Sequence, residues 1–288
     1  MALPKSDLIR NDWSTGPLLD GKVAVVLGAS SGIGWCIAER FAAQGAQVVV
    51  AARRREELEK LASSIDGLAV PCDISRDEDV KALVAATLER HGRIDVAVNS
   101  AGLNLPARIR DTTPELLAQV AAVQFFGSYY FMRHMANAMA AGGGGSLVNV
   151  TSATAIMVPE GIAPYAGCKA GINFVTKIAA AEYGPEQVRV NALAPSFVPT
   201  AMNGFGGMKP VDGCRVEIDE DTPIASAFIE ETALRRVTTV DECADVALFL
   251  ASDLSSSITG QILPVDGGNH LGRLPTFGPR KRRGESPA

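Results

Sequence analysis

Val23-Ala24-Val25-Val26-Leu27-Gly28-Ala29-Ser30-Ser31-Gly32-Ile33-Gly34 decides the architecture. A run of apolar, β-favouring residues ended by glycine reads as a strand buried on both faces, the form parallel sheets take. After the glycine-rich turn comes a helical stretch to about Gln44, with Gly45 as its C-terminal stop, and then Val48-Val49-Val50, which opens a second strand. Strand, glycine turn, helix, strand is a βαβ unit, and it predicts parallel strands joined by right-handed crossovers. Glycines let the backbone approach a pyrophosphate, and the free N–H groups at the helix start bind it. Gly28, Ser30, Ser31, Gly32, Ile33 and Gly34 are therefore the first cofactor-binding candidates. The spacing is G-x-x-x-G-x-G rather than G-x-G-x-x-G, and a glycine turn that serves packing alone is the plainer alternative. Its position between strand and helix favours the nucleotide.

The alternation continues on either side of this unit. The second strand ends Ala51-Ala52-Arg53-Arg54-Arg55. An Asp or Glu here would accept a hydrogen bond from the ribose 2′-hydroxyl of NAD, which Ala52 cannot do. The Arg53 guanidinium, supported by Arg54, suits a 2′-phosphate. NADP(H) is the expected cofactor, with NAD(H) as the alternative; a solvated helix start, given Glu56, Glu57 and Glu59, is the competing explanation of the arginines. Leu68 to Asp73 reads as a third strand with Asp73 and Ile74 at its carboxyl end, and a helix runs from about Asp77 to His91. Ile94 to Asn99 is a fourth strand, leaving Asn99-Ser100-Ala101-Gly102 at its tip. Thr113-Pro114-Glu115 starts a helix that reaches about Ala140, and Gly142 to Gly145 is a flexible loop.

Leu147 to Val150 is a fifth strand that delivers Thr151 and Ser152, and the next helix carries Tyr165. Val188 to Leu193 is a sixth strand leading into Pro195-Ser196-Phe197-Val198-Pro199-Thr200. From Ala201 to about Val237 the pattern dissolves into loop, which reads as a substrate lid. Val240 to Ser252 is a last helix and Gln261 to Gly268 a last strand, where Pro264 favours a sheet edge. The expected fold is α/β: a Rossmann-type, doubly wound, mostly parallel sheet of about seven strands with helices on both faces. One domain covers residues 20–272. A polar extension, residues 1–19, precedes it, and a basic tail, residues 273–288 with Arg280-Lys281-Arg282-Arg283, is expected to be disordered.

Of 288 residues, 47% are hydrophobic and 20% charged, which is ample for one large core. A formal net charge of −5 argues against a general polyanion binder, so no nucleic-acid partner is expected. No run of about 20 apolar residues is free of charges or Gly/Ser breaks. The N-terminus also lacks the apolar segment of a signal peptide, so no membrane association and a cytoplasmic location are expected. Cys36, Cys72, Cys168, Cys214 and Cys243 are odd in number and scattered, and His91, His134 and His270 lack ligand-like spacing. Neither a disulfide framework nor a metal site is expected.

Pro164-Tyr165-Ala166-Gly167-Cys168-Lys169 carries the chemistry. In a helix, Tyr165 and Lys169 lie a turn apart on one face, and Pro164 suits the first helical position. A neighbouring ammonium and the positive end of a helix both favour a phenolate. The expectation is a Tyr165 pKa below its usual value of about 10, suited to giving or taking a proton. Chance spacing on an ordinary amphipathic helix is the alternative, so the motif needs company.

That company is present in order from Gly28 to Gly268. Gly28…Gly32…Gly34 resembles T-G-x-x-x-G-x-G with Leu27 in place of threonine, and Asn99-Ser100-Ala101-Gly102 resembles N-N-A-G. Asn149-Val150-Thr151-Ser152 resembles the strand that presents a catalytic serine, Tyr165 and Lys169 match Y-x-x-x-K, and Asp266-Gly267-Gly268 closes the pattern. The chain resembles the short-chain dehydrogenase/reductase family in its single-domain branch. That resemblance implies interconversion of a secondary alcohol and a ketone. Ser152 would hold the substrate oxygen, Tyr165 would be general acid/base, and Lys169 would hold the nicotinamide ribose.

The same resemblance implies cofactor contacts at Asp73 and Ile74 (adenine), Asn99, Ala101, Gly102, Pro195 and Val198, with Thr200 at the carboxamide. Two departures stand out: Gln124 occupies the place of a helix asparagine that organises a proton relay, and Ser196 follows Pro195 where glycine is usual. The substrate wall is expected from Leu103, Asn104, Ser152, Ala153, Thr154, Phe197, Met202, Phe205 and Met208. It suggests an apolar or cyclic alcohol or ketone, or a 3-oxoacyl thioester. An NADP-binding redox sensor with little turnover is the alternative function. A homotetramer, or homodimer, is implied, with Phe125, Phe126, Tyr129, Tyr130 and Met132 as apolar pairing surface.

Overall fold

In a computed structural model of the chain, the described residues are 16–200 and 208–272. The first half alternates β1 (Val23–Leu27), α1 (Gly32–Ala43), β2 (Gln47–Ala52), α2 (Arg55–Ile65), β3 (Leu68–Pro71), α3 (Asp77–His91) and β4 (Val96–Asn99). Then come α4 (Pro114–Ala121), α5 (Ser128–Ala141), β5 (Gly145–Val150), α6 (Ala163–Tyr183) and β6 (Val188–Pro195). After the undescribed stretch 201–207 follow β7 (Met208–Pro210), β8 (Val216–Ile218), α7 (Pro223–Glu231), α8 (Val240–Ala251) and β9 (Ile262–Val265).

Seven strands form one sheet in the order β3-β2-β1-β4-β5-β6-β9, and every pair is parallel. The order reverses between β1 and β4, which opens a crevice at the carboxyl ends there. All five residues of β1 are buried, and their alternation splits them between two cores. Ala24 and Val26 pack with α1, α2 and α8, while Val25 and Leu27 pack with α3, α5 and α6. Strands covered on both faces need no polar side, which is why these runs are uninterruptedly apolar. Pro264 does lie on an edge strand, β9, opposite Ala194 of β6.

Four local expectations are corrected. The helix begun at Pro114 is broken by a π-helical turn, Ala122–Gly127, before it resumes as α5. Gly142 to Gly145 is no flexible loop: Gly144 N–H donates to the Met139 carbonyl, and Gly145 opens β5. The stretch 201–237 is not loop throughout, since β7 and β8 pair antiparallel and α7 starts with Pro223 behind Thr222. Leu19, assigned to the extension, is 1% exposed and belongs to the core. Residues 1–15 and the basic tail fall outside the described residues. Among the described residues no helix is long and apolar enough to cross a membrane.

Candidate active site

Strand register assembles the site. Leu27 pairs with Ala51 and with Asn99, and Asn99 pairs with Asn149, so four strands end on one level. The next residues of each strand open a cleft of about 490 Å³ lined from Gly28, Arg53, Asp73, Ala101, Ser152, Tyr165, Lys169, Pro195 and Thr200, among others. Ser30, Ser31, Gly32, Ile33, Arg54, Ile74, Gly102, Asn104 and Val198 line it as well.

The glycine turn is shaped by close approach. Gly28 has φ +86°, and a Cβ on it would lie 2.4 Å from the Ala101 nitrogen. A Cβ on Gly34 would lie 2.4 Å from the Gly28 carbonyl oxygen, so Gly34 supports the turn from beneath and does not line the cleft. Arg54 lies across the same turn: its Nη2 donates to the Ser31 hydroxyl at 2.7 Å, the Ser30 hydroxyl at 3.0 Å and the Ser30 carbonyl at 3.1 Å. Arg53 is left facing the cleft beside Asp73. Burial works to raise the Asp73 carboxyl, but the Ser75 hydroxyl and N–H, then the charges of Arg53 and Arg76, hold it below its ordinary value. Backbone close to the helix start and a cation at the end of β2 fit the phosphates of a dinucleotide.

At the other end of the cleft, Ser152 is 8% and Lys169 5% exposed. Ser152 Oγ accepts from the Thr154 hydroxyl at 2.9 Å and the Thr154 N–H at 3.2 Å. With both acceptor positions engaged, its own proton is turned to the Tyr165 hydroxyl, with which it hydrogen-bonds. Lys169 Nζ donates to the Val150 carbonyl at 2.8 Å and stands 5.8 Å from the centre of the Tyr165 ring.

The expected low phenol pKa is not what the site produces. Burial pushes Tyr165 above its ordinary value, with the Ser152 hydrogen bond pulling the other way. Burial also pushes Lys169 down to about 8, which weakens the cation meant to lower the phenol. Desolvation penalises both charged forms at once.

Several expected contacts lie elsewhere. Asn99 turns from the cleft: its Nδ2 donates to the Ser128 hydroxyl, and its Oδ1 accepts from Ala101 N–H, so it shapes the β4 tip. Phe197 stacks on Phe228 with ring centres 4.8 Å apart and is not part of the lining. Thr154 is spent on Ser152 rather than on the cleft wall. Gln124 is buried behind the wall, where its Nε2 donates to the Leu103 carbonyl at 2.8 Å and positions that segment. Met202 and Phe205 lie outside the described residues.

Ser100, Cys72, Val123 and Ser196 line the cleft without having been assigned to it. Adjacency to strand tips could have found all but Val123, which the π-helical turn presents. In the wall, Asn104 Oδ1 is buried with no hydrogen-bond partner among the described residues.

A family model described as Enoyl-(Acyl carrier protein) reductase matches residues 28–270. D-threitol dehydrogenase of Mycolicibacterium smegmatis is 34% identical over 255 residues, which cover 87% of this chain and 93% of that protein. Galactitol 2-dehydrogenase (L-tagatose-forming) of Cereibacter sphaeroides is 36% identical over 265 residues, covering 89% and 98%. Among solved structures, a short-chain type dehydrogenase/reductase from Mycobacterium ulcerans superposes with a TM-score of 0.80 at 28% identity, covering 90% of this chain and 93% of that one.

Proposed function

The chain belongs to the short-chain dehydrogenase/reductase family of oxidoreductases, and on that footing we propose that it interconverts a secondary alcohol and a ketone with NADP(H). The observation that carries the reading is the convergence of Ser152, Tyr165 and Lys169 in one cleft with the glycine turn and Arg53. When bound, NADP(H) supplies the hydride-transfer chemistry. Gly28, Gly32, Ile33, Ser31 and Thr200 would hold it along the turn, Asp73 and Ile74 at the adenine end, and Arg53 at the 2′-phosphate.

The chain's own residues handle the oxygen and its proton. Ser152, its acceptor positions filled by Thr154, donates a hydrogen bond to the substrate oxygen and stabilises negative charge developing there. Tyr165 donates the proton to that oxygen in reduction and accepts it in oxidation. Its phenol, pushed above the ordinary value of about 10 by burial, is protonated at neutral pH and so holds the proton that reduction needs. Lys169 spends one N–H on Val150 and keeps the others for the nicotinamide ribose.

Two relatives are named as dehydrogenases of polyols, threitol and galactitol, and this supports an alcohol substrate. Leu103, Val123 and Val198 supply apolar wall for a cyclic or apolar ketone, or for a 3-oxoacyl thioester, with Asn104 as its polar point. Phe197 does not contribute to that wall.

The test is a screen of ketones and alcohols with NADPH/NADP and NADH/NAD in parallel, together with Tyr165→Phe. Turnover is expected with NADPH/NADP, falling by about 100-fold or more in the variant while NADPH binding persists. Predominant use of NADH would overturn the reading of Arg53. Turnover undiminished in the variant would overturn that of Tyr165.

A further inference from the structure

Outside the cleft, the turn between β7 and β8 is held down on α1 and α8 by a cluster of charges. Asp212 Oδ1 accepts from the backbone N–H of Cys214 at 2.8 Å and of Arg215 at 2.7 Å, which closes the turn. The Arg215 guanidinium grips Asp241 of α8 with two bonds, Nη2 to Oδ1 at 2.7 Å and Nε to Oδ2 at 3.0 Å, and reaches Asp212 Oδ2 at 3.0 Å. Its hydrogen bonds, and then its positive charge, hold the Asp241 carboxyl below the ordinary range. Paired guanidinium bonds of this kind fix geometry as well as adding attraction. Cys214 is 2% exposed beneath the turn.

This clamp presses Gly213 onto the start of α1. A Cβ on Gly213 would lie 2.3 Å from Trp35 Cε2, so only glycine lets the turn sit on the indole. In that position the Gly213 carbonyl accepts the N–H of Gly32 at 3.3 Å. Gly32 is the first residue of α1 and lines the cleft. Its N–H has no acceptor within the helix, and it belongs to the positive end of the helix dipole. That donor is one an anionic pyrophosphate would use.

We infer that the β7–β8 turn competes with the pyrophosphate of the dinucleotide for the Gly32 N–H, and that Arg215 is the positioning residue that sets this competition from outside the cleft. The inference rests on the proposal that the cleft takes NADP(H). A carbonyl oxygen seated at Gly32 satisfies the donor and places partial negative charge where a phosphate oxygen would come. Binding must then displace it or do without that bond. Loosening the clamp frees the donor and tightens the dinucleotide, whereas a ligand without a pyrophosphate does not sense it.

Two variants break the contact by unrelated means. Arg215→Met removes the grip on Asp241, and Gly213→Ala drives the turn off the Trp35 ring. NADPH is titrated against each by its own fluorescence, and adenosine 2′-phosphate, which keeps the 2′-phosphate but has no pyrophosphate, is titrated by calorimetry. Both variants are expected to bind NADPH about three- to tenfold more tightly, the scale of one hydrogen bond, with adenosine 2′-phosphate affinity unchanged. Unchanged or weakened NADPH binding in the variants overturns the inference, as does equal tightening of both ligands. Wild-type protein that binds no NADPH overturns the cofactor reading itself, an outcome distinct from wild-type binding that the variants leave unaltered.

Discussion

Lys169 couples the site to the stability of the whole chain. Burial pushes its ammonium down to about 8 from 10.5. Between those two values the unfolded chain holds more protons than the folded one, so stability rises with pH across that window. Below about 8 both states are protonated and the burial penalty stands in full. Tyr165 acts in the opposite sense at higher pH, because its raised pKa lets the folded state keep a proton that the unfolded state gives up above about 10. The urea midpoint of wild type is therefore expected to rise from pH 8 to pH 10 relative to Lys169→Met, and parallel midpoints would show that the ammonium is solvated. At this scale the identities of Ser152, Tyr165 and Lys169 were legible from motif and spacing. Their protonation was not: a lysine four residues from a tyrosine looks like a charge neighbour, and only burial shows that both charged forms are penalised.

Among the elements, β1, α1 and the turn between them are the most tightly specified. Gly34 lies in the first turn of α1, where an added methyl would meet the Gly28 carbonyl oxygen at 2.4 Å. Gly34→Ala is expected to lower stability by about 1–3 kcal/mol, the usual cost of overpacking, and to weaken NADPH binding together with it. Thermal melting and NADPH titration check this; a variant equal to wild type in both would mean the turn has room to shift.

The β1-α1-β2 unit was readable because its signals are strong and local: an apolar run, glycines, then a periodic helix. The π-helical turn at Ala122–Gly127 was not, since one extra residue in a helix leaves no mark on composition. The β7–β8 pair was also missed, each strand having only three residues, too few for alternation to show. Thr222-Pro223 ahead of α7 did carry a start signal, Pro within its first turn.

Among the described residues, large apolar side chains are left exposed on α4, α5 and α6. Leu117, Phe126 and Tyr129 along α4–α5 and Phe174 and Ile178 on α6 are exposed, Phe174 at 66%. Of the residues expected to form a pairing surface, Met132 is 3% exposed in the core. Phe125 and Tyr130 are half-buried: the Phe125 ring packs against Gly171, and Tyr130 lies against the core. Exposed apolar side chains on helices that pack together mark a contact surface, and we propose a second copy of this chain as its partner. Sedimentation velocity should show wild type as a dimer or larger and Phe174→Glu as a smaller species, because a buried unpaired carboxylate opposes association. Wild type sedimenting as a monomer would sink the proposal.

The chain alone specified the parallel sheet, the strand tips that face the cleft and the residue types gathered there. Each depends on short-range order: runs of buried residues, glycine where backbones touch, proline at helix starts. Folding in three dimensions decided where individual side chains point and what charge they carry. Asn99 turns to Ser128, Phe197 to Phe228 and Arg54 to Ser30 and Ser31. These partners are set by packing between separate elements, and desolvation depends on everything that surrounds a group, so neither is written in any local stretch of sequence.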